Sequence, residues 1–179
     1  MSNNIIVLSG SPRKEGNTEK LASAFIEGAK STGKKVTAFR IADMKIGGCR
    51  GCEHCFVEKG ICVQNDDMLP VLEAIKTADA IVFVSPIYFF DMTAQLKLAI
   101  DRTFALLSVG TPVKKAAFLM TCGDSSEKAA DGAVVTYKNI CEYSKWEDAG
   151  VIVAAGLNKP GEIDGRIELE KAQKLGMDI

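Results

Sequence analysis

Four of the six cysteines in this 179-residue chain crowd one short stretch: Cys49, Cys52, Cys55 and Cys62. The spacing is C-x2-C-x2-C-x6-C, which puts four soft thiolate ligands where one loop can wrap a metal centre. It departs from the bacterial ferredoxin run ending C-x3-C-P, since six residues precede the last cysteine and Val63 follows it. Spacing alone leaves the occupant open between an iron–sulfur cluster, a zinc ion and free or redox-active thiols. His54, the only histidine, lies in the same loop. Four cysteines already complete a site, so no ligand role is expected of it. Cys122 and Cys141 are expected to stand apart, Cys141 as a buried helical thiol.

A second candidate runs Ser9-Gly10-Ser11-Pro12-Arg13-Lys14-Glu15-Gly16-Asn17-Thr18. It brings hydroxyls, cations and two glycines, Gly10 and Gly16, to the start of a helix, where free N–H groups and the helix dipole make an anion site. Ser11, Asn17 and Thr18 offer side-chain donors, and Arg13 can pair with phosphate oxygens. The loop is not a P-loop: five residues separate its glycines, and Asn17 stands where that motif needs lysine. A phosphomonoester therefore suits it better than a nucleoside triphosphate. The competing reading is a capped turn with incidental polarity. A third candidate, Ser85 to Met92, contains the adjacent aromatics Tyr88, Phe89 and Phe90. Three rings in a loop are hard to assign to a core, and they make a wall for a flat ring. Phe90 could instead be a staple under the next helix. Thr121-Cys122-Gly123-Asp124 would form another rim, with Gly123 admitting close backbone approach.

The elements around these segments alternate. Apolar or alternating runs predict strands at Ile5–Leu8, Lys35–Ile41, Ala80–Val84, Ala116–Met120 and Val151–Ala155. Lys and Arg at the ends of the second suit a sheet edge, while the continuous aliphatic runs suit strands buried on both faces. Helical spacing begins at Thr18 (Leu21, Phe25, Ala29) and after Asp66-Asp67 (Met68, Leu72, Ile75). It recurs from Thr93 to about Leu107, from Ser125 to about Tyr143, and from Glu162 to Leu175. The cysteine stretch, about residues 46–65, has no period and reads as a long functional loop. The expectation is one α/β domain spanning residues 1–179. It is a flavodoxin-like three-layer sandwich on a five-stranded parallel sheet of order 2-1-3-4-5. Ligands in that fold sit beyond the strand carboxyl ends at the switch point. The phosphate-ready loop, the aromatic loop and the Cys122 rim all fall there, a combination that suggests FMN.

The stretches GSPRKEGNT and SPIYFFDMTAQLKLAIDR resemble the NAD(P)H-dependent FMN reductase group of the flavodoxin-like superfamily, and the likeness runs to GEIDGRIELEKAQKLG near the end. Within that group GCRGCEHCFVEKGICVQNDDM is most similar to iron–sulfur flavoproteins. The resemblance implies that Ser11, Arg13, Asn17 and Thr18 hold the FMN phosphate. It implies that Pro86, Ile87, Tyr88 and Phe89 line the isoalloxazine, with Cys122, Gly123 and Asp124 on the other rim. It also implies a 4Fe–4S cluster on Cys49, Cys52, Cys55 and Cys62, NADH or NADPH as electron donor, a small-molecule or protein acceptor, and a homodimer or homotetramer. The flavin carries the chemistry in such an enzyme, so no catalytic acid or base is expected.

Composition bounds the alternatives. With 22 basic and 23 acidic residues, the net charge of −1 excludes an electrostatic grip on nucleic acid. It also weighs against the rival reading, an acidic flavodoxin-like carrier without a nicotinamide site. A zinc-stabilised binding module is a further rival. No membrane contact is expected, because the longest uncharged apolar run, Ala80 to Phe90, is too short to span. Ile5 to Leu8 is too short for a signal-peptide core, which gives the expectation of a cytoplasmic protein.

Overall fold

The computed structural model describes residues 4–179. Five parallel strands form the sheet in the order β2-β1-β3-β5-β6: β1 (Asn4–Ser9), β2 (Lys35–Arg40), β3 (Ala80–Tyr88), β5 (Lys115–Thr121) and β6 (Glu147–Ala154). A sixth strand, β4 (Asp91–Met92), folds back antiparallel on the end of β3. The spatial order is the expected one. The added hairpin strand makes the sheet six-stranded and moves the last two strands up by one number. The chain reverses at Phe89-Phe90, a pair with no turn signature.

Alternation along β1 divides the core. Ile5 and Val7 face one layer and Ile6 and Leu8 the other. The first layer holds α1 (Asn17–Ser31) and α6 (Ile167–Asp178), which bury Leu21, Phe25 and Ala172. The second holds α3 (Met68–Ile75), α4 (Ala94–Arg102) and α5 (Asp131–Ser144), contributing Leu72, Leu96 and Tyr137. Strands β2 and β6 are the edges, and β2 is largely exposed.

Helix limits differ from expectation for local reasons. The helix after Thr93 stops at Arg102 and tightens into a 3₁₀ turn over Thr103–Ser108. The next starts at Asp131 after a 3₁₀ turn over Glu127–Ala130. The last starts at Ile167 because residues 158–163 are taken up by a turn. There the Glu162 carboxylate accepts from the Asn158 and Lys159 N–H groups at 2.7 and 2.9 Å. The cysteine loop carries one helical turn, α2 (His54–Val57). Among the described residues no helix is long and apolar enough to cross a membrane.

Candidate functional site

The carboxyl ends of β1, β3 and β5 open into a cleft of about 200 Å³. Ser11, Arg13, Gly16, Asn17 and Thr18 form one end, Pro86, Ile87 and Tyr88 one wall, and Thr121, Cys122 and Gly123 the opposite rim. Arg13 is the one charged residue of that lining, and its guanidinium meets no acceptor among the described residues. Gly16 caps α1 without a side-chain hydrogen bond; its carbonyl takes the Glu19 N–H at 3.1 Å, and the Asn17 and Thr18 N–H groups are left for an outside acceptor. The Ser11 hydroxyl closes a tight turn with the Arg13 backbone, both contacts at 3.3 Å. An uncapped helix start beside an arginine without an acceptor among the described residues is a donor set that suits an anion.

A polar frame, part buried and part exposed, holds this loop. The Ser9 hydroxyl bonds to the Glu19 carboxylate, which Arg40 neutralises while also donating to the Ser11 carbonyl at 3.3 Å. Asp43 grips the other side of Arg40 at 3.0 Å. The Thr93 hydroxyl donates to the Gly10 carbonyl at 2.9 Å. A Cβ on Gly10 would press on Leu96 Cβ at 2.7 Å, so glycine lets the loop lie against α4. Thr18 and Thr121 share a hydrogen bond of 2.6 Å that ties the start of α1 to the end of β5.

Most of the expected residues meet in the cleft, with three qualifications. The Asn17 side chain faces the 158–163 turn: it donates to the Lys159 carbonyl at 2.8 Å and accepts from the Gly161 N–H at 2.9 Å. It fixes the loop and is not a free donor. Phe89 lies outside the lining, fully exposed at the tip of the β3–β4 hairpin. Asp124 is also outside it, its carboxylate accepting from the Ser126 N–H at 2.8 Å. Sequence reasoning passed over Leu157 and Asn158, which complete the lining after β6. The signal was available, since they follow the carboxyl end of the last strand. Asn158 also bonds the Gly123 carbonyl at 3.1 Å. Burial pushes the Cys122 thiol up, keeping it a neutral part of the rim.

The four cysteines line a second, smaller cavity of about 20 Å³ with Arg102 and Phe104. Cys49 and Cys52 are exposed, Cys62 is half-buried, and Cys55 is buried within α2. His54 is not in that lining. Burial raises the Cys55 thiol above its ordinary range, and the neighbouring cysteines add to the shift. Among the described residues no three His, Cys, Asp or Glu side chains converge to hold a single ion. The loop is pinned from behind: Gln64 donates to the Gly48 carbonyl at 3.0 Å, and Asp66 accepts from the Gly47 N–H at 3.0 Å. Arg102, itself buried, grips Asp66 at 2.6 Å.

Comparison with known proteins places this architecture. The family profile described as NADPH-dependent FMN reductase matches residues 3–146. An iron-sulfur flavoprotein of Archaeoglobus fulgidus is 32% identical over 183 residues, covering 95% of this chain and 76% of its own. One from Methanosarcina thermophila is 36% identical over 99 residues, covering 55% of this chain and 51% of its own. Among solved structures, the NAD(P)H:quinone oxidoreductase from Methanothermobacter marburgensis superposes with a TM-score of 0.79 at 20% identity, covering 99% of this chain and 96% of its own. An azoreductase from Bacillus anthracis gives 0.76 at 19% identity, covering 99% and 100%. At such identities these two likenesses speak to the fold.

Proposed function

The chain belongs to the NADPH-dependent FMN reductase family, and from that premise we propose that it binds FMN in the switch-point cleft and uses it to move electrons from NADH or NADPH to an acceptor. The observation that carries the site is the unpaired Arg13 beside the uncapped start of α1. When bound, FMN supplies the hydride chemistry. The chain binds and orients. Arg13, the Ser11 hydroxyl and the N–H groups following Gly16 take the phosphate. Pro86, Ile87 and Tyr88 wall the ring on one side, with Cys122 and Gly123 on the other. A Cβ at Gly123 would strike Asn158 Oδ1 at 2.7 Å, so the glycine keeps that rim thin. No acid or base in the cleft needs to move a proton.

The four thiolates are a donor set that suits a 4Fe–4S cluster held by Cys49, Cys52, Cys55 and Cys62, with the loop opening to admit it, and the cluster would supply one-electron capacity beside a hydride acceptor. The fit rests on the all-thiolate donor set and on Arg102, a lining residue whose buried Nε–H has no partner among the described residues. A zinc ion would use the same thiolates, and the iron and sulfide content of the protein separates the two. The acceptor is a small molecule or protein, the assembly a homodimer or homotetramer, and the setting cytoplasmic. The exposed Phe89 and Phe90 supply apolar surface for assembly, and the six unpaired cysteines suit a reducing compartment.

The test is stopped-flow reduction of anaerobically purified protein carrying one FMN per chain. Bleaching of the flavin absorbance is expected with at least one of NADH and NADPH. If neither bleaches the flavin, the reductase reading fails and a carrier takes its place. Iron and sulfide assays on the same sample test the cluster independently.

A further inference from the structure

We infer that Arg102 tunes the four-cysteine site, its buried Nε–H donating a hydrogen bond to sulfur of the group those cysteines hold. The inference rests on the cluster reading above. Arg102 closes α4 with a side chain only 2% exposed, among the largest fully buried in the molecule. A guanidinium carries five N–H donors. Nη1 donates to the Gly47 carbonyl at 2.9 Å and to Asp66 Oδ2 at 2.6 Å. Nη2 donates to Asp66 Oδ1 at 3.0 Å and the Gln64 carbonyl at 3.4 Å. Those bonds occupy four donors. The fifth, on Nε, is buried without a partner among the described residues.

Orphaned buried N–H groups are rare and call for an acceptor. Arg102 lines the cavity of Cys49, Cys52, Cys55 and Cys62, where four sulfur atoms stand beside the side-chain oxygens of Glu53 and Gln64; neither oxygen reaches Nε among the described residues. Arginine stays cationic in proteins, and here the charge is paired with the Asp66 carboxylate at 2.6 Å. The two-pronged grip on Asp66 fixes the guanidinium plane, which a lysine ammonium could not do. A thiolate-ligated cluster gains negative charge on reduction. A fixed cation donating to its sulfur favours the reduced form and raises the potential.

Arg102→Lys and Arg102→Gln are compared with wild type as anaerobic holoproteins, measuring iron and sulfide per chain and the midpoint potentials of cluster and flavin separately. Arg102→Lys keeps a cation against Asp66 but loses the Nε donor. It is expected to retain iron and FMN and to shift the cluster equilibrium about tenfold toward the oxidised form, which is about 59 mV lower for one electron. The flavin potential should stay where it is, and Arg102→Gln should shift the cluster at least as far. An unchanged cluster potential in iron-replete Arg102→Lys overturns the inference and leaves the cluster reading standing. Wild type without iron overturns both. If the arginine variants lose iron, Asp66→Asn decides. Equal loss there means Arg102 acts only by clamping the loop, which overturns the inference; iron retained there supports it.

Discussion

Arg13 and Asn17 stand four residues apart in one loop, and the structure gives them different work. Arg13 is exposed and unpaired, so removing it should cost binding and little else. A charged hydrogen bond, discounted for exposure, contributes about 1–1.5 kcal/mol, or roughly five- to tenfold in FMN Kd. Arg13→Ala should show that loss by flavin-fluorescence titration, with Tm of the apoprotein unchanged. The deficit should narrow at high salt as the attraction is screened. An affinity equal to wild type at low salt would remove Arg13 from the phosphate site. Asn17→Ala should behave in the opposite order. It strips the Lys159 carbonyl and the Gly161 N–H of buried partners. The expected cost is about 2 kcal/mol of stability, roughly 4–8 °C in Tm for a chain of this size. Sequence could name both residues because the loop's polarity and place were visible. It could not separate them, because the partner of Asn17 is a turn more than 140 residues further on.

The β3–β4 hairpin is the element with the clearest conflict between sequence and backbone. Its two-residue turn puts Phe89 at φ 48° and Phe90 at φ 68°. Two-residue hairpins favour such positive angles, but they recruit Asn and Gly to adopt them. For a residue with a Cβ the left-handed region costs roughly 1–2 kcal/mol. Two phenylalanines kept there, one of them fully exposed, are strain without a folding return. Tyr88, the residue before them, walls the cleft. The double substitution Phe89→Asn with Phe90→Gly should therefore raise Tm by several degrees, as read by thermal melts. A variant no more stable than wild type would refute the strain argument. The strands themselves were legible: the aliphatic runs of β1, β3 and β5 are buried on both faces and could be little else. The hairpin was not, because Phe-Phe carries no turn chemistry. Nor was the late start of α6, because the turn before it is held by Glu162, a residue whose propensity is helical.

At the scale of the molecule, α1 and α6 cover one face of the sheet together, and they touch through glycine on both sides. A Cβ on Gly28 would meet the Gln173 backbone, and one on Gly176 would meet the Phe25 carbonyl and the Ala29 nitrogen. Helix propensity alone would favour alanine at either position by about 1 kcal/mol. Backbone cannot yield as a side chain can, so overpacking should win and Gly176→Ala should lose about 1–3 kcal/mol, or roughly 2–12 °C in Tm. The collision is far from the cleft. Gly28 lies eleven residues along α1 from Asn17, which is about 16 Å at the helical rise. A displaced α6 should therefore make the fold less stable without reshaping the phosphate end of α1. FMN affinity at room temperature should stay within about twofold of wild type, and saturating FMN should restore part of the lost Tm by binding only the folded chain. A Gly176→Ala protein with unchanged Tm would show that α6 can slide to make room. One that lost FMN affinity as steeply as stability would show that the α1–α6 contact reaches the cofactor end, making the closing helix part of the site's support.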